Sequence, residues 1–228
     1  AKIITITGSA GKTSLKNLIK DLLLDFGKTH FSPKSYNNHL GVPISLSNLS
    51  FEDKFGVFEV GMSKAGEINN LTKLIKPQIA IITNIGEAHI ENFKNINGIA
   101  KAKSEIIKNI TPGGTIILNR DDKFFNFLKK KAKKYNLNIC TFGKHTDSKV
   151  QFQKIDHKDK KSKILVRINN RKLNFEIGDL NIYNVLAALA VFKELKIDFS
   201  KILHKFKGLG PSDGRGKKYI INRYKKKF

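Results

Sequence analysis

Hydrophobic and polar positions change rhythm along this 228-residue chain. Through the first two-thirds, short β-rich runs fall at Lys2–Thr7, Phe55–Val60, Ile79–Thr83, Thr115–Leu118 and Asn138–Phe142. Between them lie stretches of helical period at Lys12–Phe26, Glu67–Ile75, Ile96–Ile110 and Lys123–Tyr135. In the first of these, Leu15, Leu18, Ile19, Leu22, Leu23 and Phe26 share one face, the mark of an amphipathic helix. Strands alternating with helices predict a mostly parallel sheet with crossover helices. From about Val150 to Ile177 the period shortens to two, as in Lys163-Ile164-Leu165-Val166-Arg167-Ile168, and Asn169-Asn170 sits where a hairpin turn belongs. A small antiparallel extension is expected there. Ile182–Leu195 and Phe199–Phe206 then read as helices, Gly208–Gly216 as a Gly/Pro-rich connection and Lys218–Tyr224 as a last strand.

Composition narrows the class. Hydrophobic residues make up 40% of the chain, enough for a real core, and no apolar run approaches the roughly 20 residues needed to span a bilayer. The opening Ala1-Lys2-Ile3-Ile4-Thr5-Ile6-Thr7 lacks the parts of a signal peptide. A single cysteine, Cys140, excludes an internal disulfide and a cysteine metal cluster, so a cytoplasmic protein is expected, and a monomer is expected too. The formal charge of +24 raises a nucleic-acid partner. Against it, only Arg120, Arg167, Arg171, Arg215 and Arg223 are arginines, the residue that reads phosphate and guanine bidentately. The lysines are spread over helix faces and turns, as on a solvated surface, and no nucleic-acid partner is expected. The chain opens directly in a strand and closes on Lys225-Lys226-Lys227-Phe228. Both ends are expected to be cuts, with further domains on either side.

The candidate chemistry begins between the first strand and the first helix. Thr7-Gly8-Ser9-Ala10-Gly11-Lys12-Thr13 is a compact phosphate loop, with only Ser9 and Ala10 between the first glycine and the Gly-Lys pair. Glycines allow backbone N–H groups to turn inward, and a helix N-terminus adds partial positive charge. Lys12 is placed to reach the β- and γ-phosphates of a nucleoside triphosphate, and the Thr13 hydroxyl to bind Mg²⁺. Glu59, at the end of the strand Phe55–Val60, lies at the sheet edge where ligands bind in parallel α/β proteins, a position suited to a partly hydrated Mg²⁺. His89, in Thr83-Asn84-Ile85-Gly86-Glu87-Ala88-His89, follows the next strand at the same edge. The fold class these features predict is α/β: a P-loop mononucleotide-binding fold with a mostly parallel sheet flanked by helices and the antiparallel extension at about 150–177.

The short loop resembles that of the Mur ligases and the related folylpolyglutamate synthetases, and the resemblance runs to Arg215. It implies an ATP-binding central domain over 1–216, with 217–228 opening a C-terminal domain and an N-terminal UDP-binding domain missing. Residue by residue it implies Glu59 as a Mg²⁺ ligand, and His89 and Lys103 at a second Mg²⁺; Lys103 stands where these ligases carry a lysine that reacts with CO₂ to a carbamate. Asn181-Ile182-Tyr183-Asn184-Val185-Leu186-Ala187-Ala188 is similar to a segment whose second asparagine, here Asn184, approaches adenine; Leu180 replaces a histidine usual before it. Asn181 also suits a helix cap. In Tyr36-Asn37-Asn38-His39-Leu40-Gly41-Val42-Pro43, either Asn37 or Asn38 is the expected adenine contact, Asn38 being carried as the binding residue. Gly214-Arg215-Gly216 resembles an arginine motif addressing nucleotide phosphate.

Three segments, Tyr36–Pro43, Gly61–Ile68 and Ala100–Ile106, are similar to those of the branch that joins D-alanyl-D-alanine to UDP-N-acetylmuramoyl-tripeptide, with Leu40 and Ser104 as departures. The implied activity is ATP-dependent amide ligation in peptidoglycan synthesis, with weak or no ligation by this domain alone. A sister ligase acting on folate or another peptide, and a P-loop regulatory NTPase, are the competing readings. The NTPase offers no reason for Glu59, His89 and Lys103 to occur together.

Overall fold

A computed structural model describes residues 1–88, 90–158, 161–210, 222–223 and 226–227. Its strands are β1 (Lys2–Thr7), β2 (Thr29–Phe31), β3 (Phe55–Glu59), β4 (Ile79–Ile82), β5 (Thr115–Asn119), β6 (Asn138–Gly143), β7 (Val150–Lys158), β8 (Lys161–Ile168) and β9 (Arg171–Ile177). They form a sheet of nine strands in the order β2-β3-β1-β4-β5-β6-β7-β8-β9. From β2 to β7 every pairing is parallel; β7, β8 and β9 pair antiparallel, with a register shift between Phe152 and Lys154. The helices are α1 (Lys12–Leu23), α2 (Gly41–Ser47), α3 (Glu67–Ile75), α4 (Ile96–Lys103), α5 (Phe125–Lys134) and α6 (Ile182–Glu194). Among the described residues no helix is long and apolar enough to cross a membrane.

The central strands are apolar on both faces because both are covered. Ile4, Ile6, Ile79 and Ile81 pack with α1 and α6, while Ile3, Ala80, Ile82 and Phe58 pack with α3, α4 and α5. Such two-sided burial is what parallel sheets require. In β9 the pattern reverts to alternation from Lys172 on, with Leu173, Phe175 and Ile177 inward and Lys172 and Asn174 outward, as one covered face dictates.

Several segments end differently from their periodicity. The stretch expected as a helix to Phe26 is α-helical to Leu23, then closes in a 3₁₀ turn, Leu24–Phe26, against Gly27 at φ 146°. Ile96–Ile110 divides into α4 and a 3₁₀ run, Ser104–Asn109. Phe199–Phe206 is two 3₁₀ pieces, Phe199–Lys201 and Leu203–Gly208, rather than an α-helix. β2 is three residues long, too short for any period to announce. Most of Gly208–Gly216 and Lys218–Tyr224 lies outside the described residues; Asn222–Arg223 pairs antiparallel with Lys226–Lys227.

The strand order decides where a ligand can sit. β1 is flanked by β3 on one side and β4 on the other, so the connections run to β2 and β3 on one side of it and then cross to β4 and β5 on the other. That switch opens a crevice at the strands' C-terminal ends. Register sets Ile6 beside Glu59 and Thr7 beside Ile82, bringing the phosphate loop, Glu59 and the Thr83 segment to one edge.

Candidate nucleotide-binding and phosphoryl-transfer site

The loop after β1 is shaped by its glycines and clasped by the segment after β4. Gly8 adopts φ +150°, and a Cβ there would stand 1.9 Å from the Thr83 hydroxyl oxygen. Gly11, at φ +81°, begins α1 without a capping side chain; a Cβ on it would meet Asn184 Oδ1 at 2.9 Å. Thr83 Oγ1 donates to the Ala10 carbonyl (2.6 Å), Asn84 Oδ1 accepts from Ser9 N (3.1 Å) and Ala10 N (2.9 Å), and Ser9 Oγ accepts from Gly86 N (2.8 Å). Ser9 and Ala10 therefore spend their backbone N–H groups on Asn84. Gly11 to Thr13 open α1 directly beside this loop, where a helix N-terminus carries partial positive charge.

Behind the loop, Thr13 and Glu59 form a buried pair. Thr13 Oγ1 donates to Glu59 Oε2 at 2.7 Å, and Asn37 Nδ2 donates to Glu59 Oε1 at 2.7 Å. Glu59 is 1% exposed and Thr13 7%. A hydroxyl and a carboxylate held together beside a phosphate loop are hard oxygen donors that suit Mg²⁺, which binds through one or two carboxylates, waters and substrate phosphates. The site residues thus fit the ion.

Two lysines converge on a single oxygen. Lys12 Nζ donates to the Gly8 carbonyl at 2.9 Å and Lys103 Nζ, from the end of α4, donates to the same carbonyl at 3.1 Å. Lys103 is 2% exposed. Burial first, and the neighbouring Lys12 charge second, push its ammonium down to about 7.

The loop borders two cavities that share no lining residue. One, of about 320 Å³, is lined by Ala10, Gly11, Asn84, Phe142, Tyr183 and Asn184, among others; Asn184 Nδ2 reaches the Gly11 carbonyl at 3.5 Å. The other, of about 360 Å³, is lined by Lys12, Lys103, Asn37, Asn38, His39 and Met62, among others. Asn184 thus lines one cavity and Asn38 the other, and Asn38 Oδ1 accepts from Gly41 N (2.9 Å) at the start of α2. His89 and Arg215 lie outside the described residues.

The Mur ligase middle domain matches residues 6–192. The chain belongs to the Mur ligase family. It is 38% identical over 205 residues to the UDP-N-acetylmuramoyl-tripeptide–D-alanyl-D-alanine ligase of Buchnera aphidicola subsp. Acyrthosiphon pisum, covering 89% of this chain and 45% of the relative. A crystal structure of MurF from Acinetobacter baumannii superimposes with TM-score 0.89 at 29% identity, over 98% of this chain and 49% of that one. The MurF ligase of Thermotoga maritima in complex with ADP gives 0.80 at 25% identity, over 89% of this chain and 48% of that one. The chain thus spans about half the length of the relatives it matches.

In this Mur ligase domain several further residues shape the site. Thr83 and Asn84 hold the loop; Asp121 accepts from Lys144 N (2.6 Å), His145 N (2.9 Å) and Tyr183 OH (3.0 Å), fixing one wall of the Asn184 cavity. Burial and the Asp121 hydrogen bond push the Tyr183 phenol up to about 12, so it remains a donor throughout the physiological range. Asn84 was visible as a polar residue at a strand end. Asp121 and Tyr183 are 62 residues apart, and nothing in either segment alone announces the pairing.

Proposed function

We propose that this chain is the ATP-binding part of a ligase that joins D-alanyl-D-alanine to UDP-N-acetylmuramoyl-tripeptide, the reaction named for its Buchnera relative. The observation that carries the reading is the convergence of Lys12 and Lys103 on the Gly8 carbonyl, at a loop bordering one cavity for a nucleotide and another for an acceptor. A carboxylate is a poor acyl donor because its leaving group is oxide. Here a carboxylate oxygen of the tripeptide attacks the γ-phosphorus of ATP, the bond to the β-bridging oxygen breaks and ADP leaves. The D-alanyl-D-alanine amine then attacks the acyl carbon, loses a proton and expels inorganic phosphate.

Both reactants of the first step are anions, so charge neutralisation and positioning dominate its barrier. Lys12 lies over the phosphate side of the loop, and the N–H groups of Gly11 to Thr13 face the phosphates. Asn184 and Tyr183 serve the nucleoside cavity. Asn37 and Asn38 serve the acceptor cavity, where an amide N–H can orient the incoming carboxylate. Thr13 and Glu59 would hold Mg²⁺, which when bound neutralises charge on phosphate oxygens. His89 and a carbamylated Lys103 are the proposed ligands of a second ion, and Arg215 a phosphate contact. Near neutral pH much of the Lys103 amine is uncharged. Its lone pair can add to the carbon of CO₂, forming an N–C bond and releasing a proton, which turns the neutral amine into a carbamate anion beside Lys12.

Calorimetric titration of Mg-ATP into the chain tests this, with Lys12→Ala and a Mg²⁺-free sample alongside. Saturable binding lost in both controls is the expected result; binding that survives Lys12→Ala overturns the site. Ligation by this chain alone is expected to be weak or absent, and full turnover unaided would overturn that expectation.

A further inference from the structure

Helix α1 carries a second buried lysine that the chemistry above leaves unused. Lys16, one turn after Lys12, is 1% exposed. Its Nζ donates to the Ser32 carbonyl at 2.6 Å and also to the Lys34 carbonyl. A buried ammonium is costly unless hydrogen bonds replace its water, and an alkyl side chain of similar volume would fill the space without that cost. The two carbonyls belong to the connection between β2 and α2, which carries polar groups into the site. Ser32 Oγ accepts from Glu59 N (3.3 Å), Ser35 Oγ lies 3.4 Å from Thr13 Oγ1, and Asn37 Nδ2 holds Glu59 Oε1. Lys34 sits at φ 45°, a left-handed conformation that a non-glycine residue keeps only when its surroundings over-determine it. The Lys16 ammonium on its carbonyl is one such determinant.

We infer that Lys16 is a positioning residue. Through the Ser32 and Lys34 carbonyls it ties the β2–α2 connection to the helix that begins at the phosphate loop, and so sets the Asn37–Glu59–Thr13 arrangement. The consequence for nucleotide binding rests on the reading proposed above; the structural tie does not. The device joins the two cavities mechanically, because the nucleotide contacts the start of α1 while Asn37 and Asn38 line the acceptor side.

The test uses Lys16→Met, which keeps length and removes the donor, with Asn37→Ala and the double variant. Gly61 N donates to the Asn37 carbonyl and Val42 N to the Asn38 carbonyl, so hydrogen exchange at these amides reports the connection without nucleotide or metal. In Lys16→Met their exchange is expected to accelerate about tenfold or more while the β4 and β5 amides keep their protection. The Mg²⁺ concentration for half-maximal ATP binding should rise about tenfold, as for other outer-shell partners of a metal site. Asn37→Ala should do the same, and the double variant should be little worse than either, since both act through one arrangement. Unchanged exchange at Gly61 and Val42, or effects that multiply in the double variant, overturns the inference. If Lys16→Met does not fold, Lys16→Gln retains one donor and should show the same local acceleration at smaller amplitude; no acceleration there overturns it equally. Mg-ATP binding abolished by Lys12→Ala but untouched by Lys16→Met would leave the nucleotide site standing and remove Lys16 from it.

Discussion

At Gly8 the backbone and two side chains meet. Its φ of +150° and the 1.9 Å approach of a Cβ to the Thr83 hydroxyl make Gly8→Ala doubly unfavourable. Strain of this kind costs about 1–3 kcal/mol. Gly8→Ala should lower unfolding free energy by that order and weaken Mg-ATP binding, measured by denaturation and calorimetry; a variant of unchanged stability and affinity would refute the loop geometry. Lys103 gives a pH-dependent outcome. Its ordinary value of 10.5 falls to about 7 in the fold, so the unfolded chain holds the proton over a range in which the folded chain has lost it. The burial penalty is present in full below about 7, fades as pH rises, and is gone above 10.5. Relative to Lys103→Met, the parent chain should therefore gain stability between pH 7 and pH 9, in EDTA and without nucleotide. A stability difference constant across that window would contradict the buried cation. Neither Lys103 nor Lys16 stands out among the surrounding lysines as a residue type. The resemblance to the Mur ligases singled out Lys103, whereas nothing marked Lys16, because burial of a helical lysine depends on which distant segments arrive against it.

Among elements, caps separate what a segment carries from what it borrows. Asn181 accepts from Asn184 N at 3.2 Å at the start of α6, a local arrangement readable from the Asn-x-x-Asn spacing. Asn181→Ala should cost about 1 kcal/mol and weaken nucleotide binding, since Asn181 and Asn184 both line the smaller cavity; thermal unfolding and titration together check it, and an unchanged melting temperature would refute the cap. Helix α3 borrows instead. The N–H groups of Gly66 and Asn69 are accepted by the Glu105 carboxylate at 2.8 and 3.0 Å, from beyond α4. The Glu67–Ile75 period located α3 to the residue, but no local signal says which carboxylate completes its N-terminus. The 3₁₀ endings after α1 and α4 were equally invisible, because apolar spacing continues through a tightened turn while its hydrogen bonds change.

For the molecule as a whole, ligand and fold are linked by mass action. A nucleotide that binds only the folded chain adds about 2.7 kcal/mol at a hundred times its Kd. For a chain of this size that corresponds to a rise in Tm of about 5–10 °C, and Lys12→Ala should abolish it; an unshifted Tm under saturating Mg-ATP would refute binding to the folded state. The amino-acid sequence by itself determined the layered α/β architecture, the change from parallel sheet to antiparallel extension at Val150, and the phosphate loop. These follow from periodicity, turn residues and local spacing, which act within a few residues of chain. Only tertiary structure decided that Glu59 meets Thr13 and Asn37, that Asn84 occupies the Ser9 and Ala10 N–H groups, that Asn38 and Asn184 line different cavities, and that Lys16 and Lys103 are dry. Each of these depends on the strand order β2-β3-β1-β4, which sets together residues dozens of positions apart. Hydrogen bonding and desolvation at such meetings are properties of neighbours in space, and no residue carries them alone.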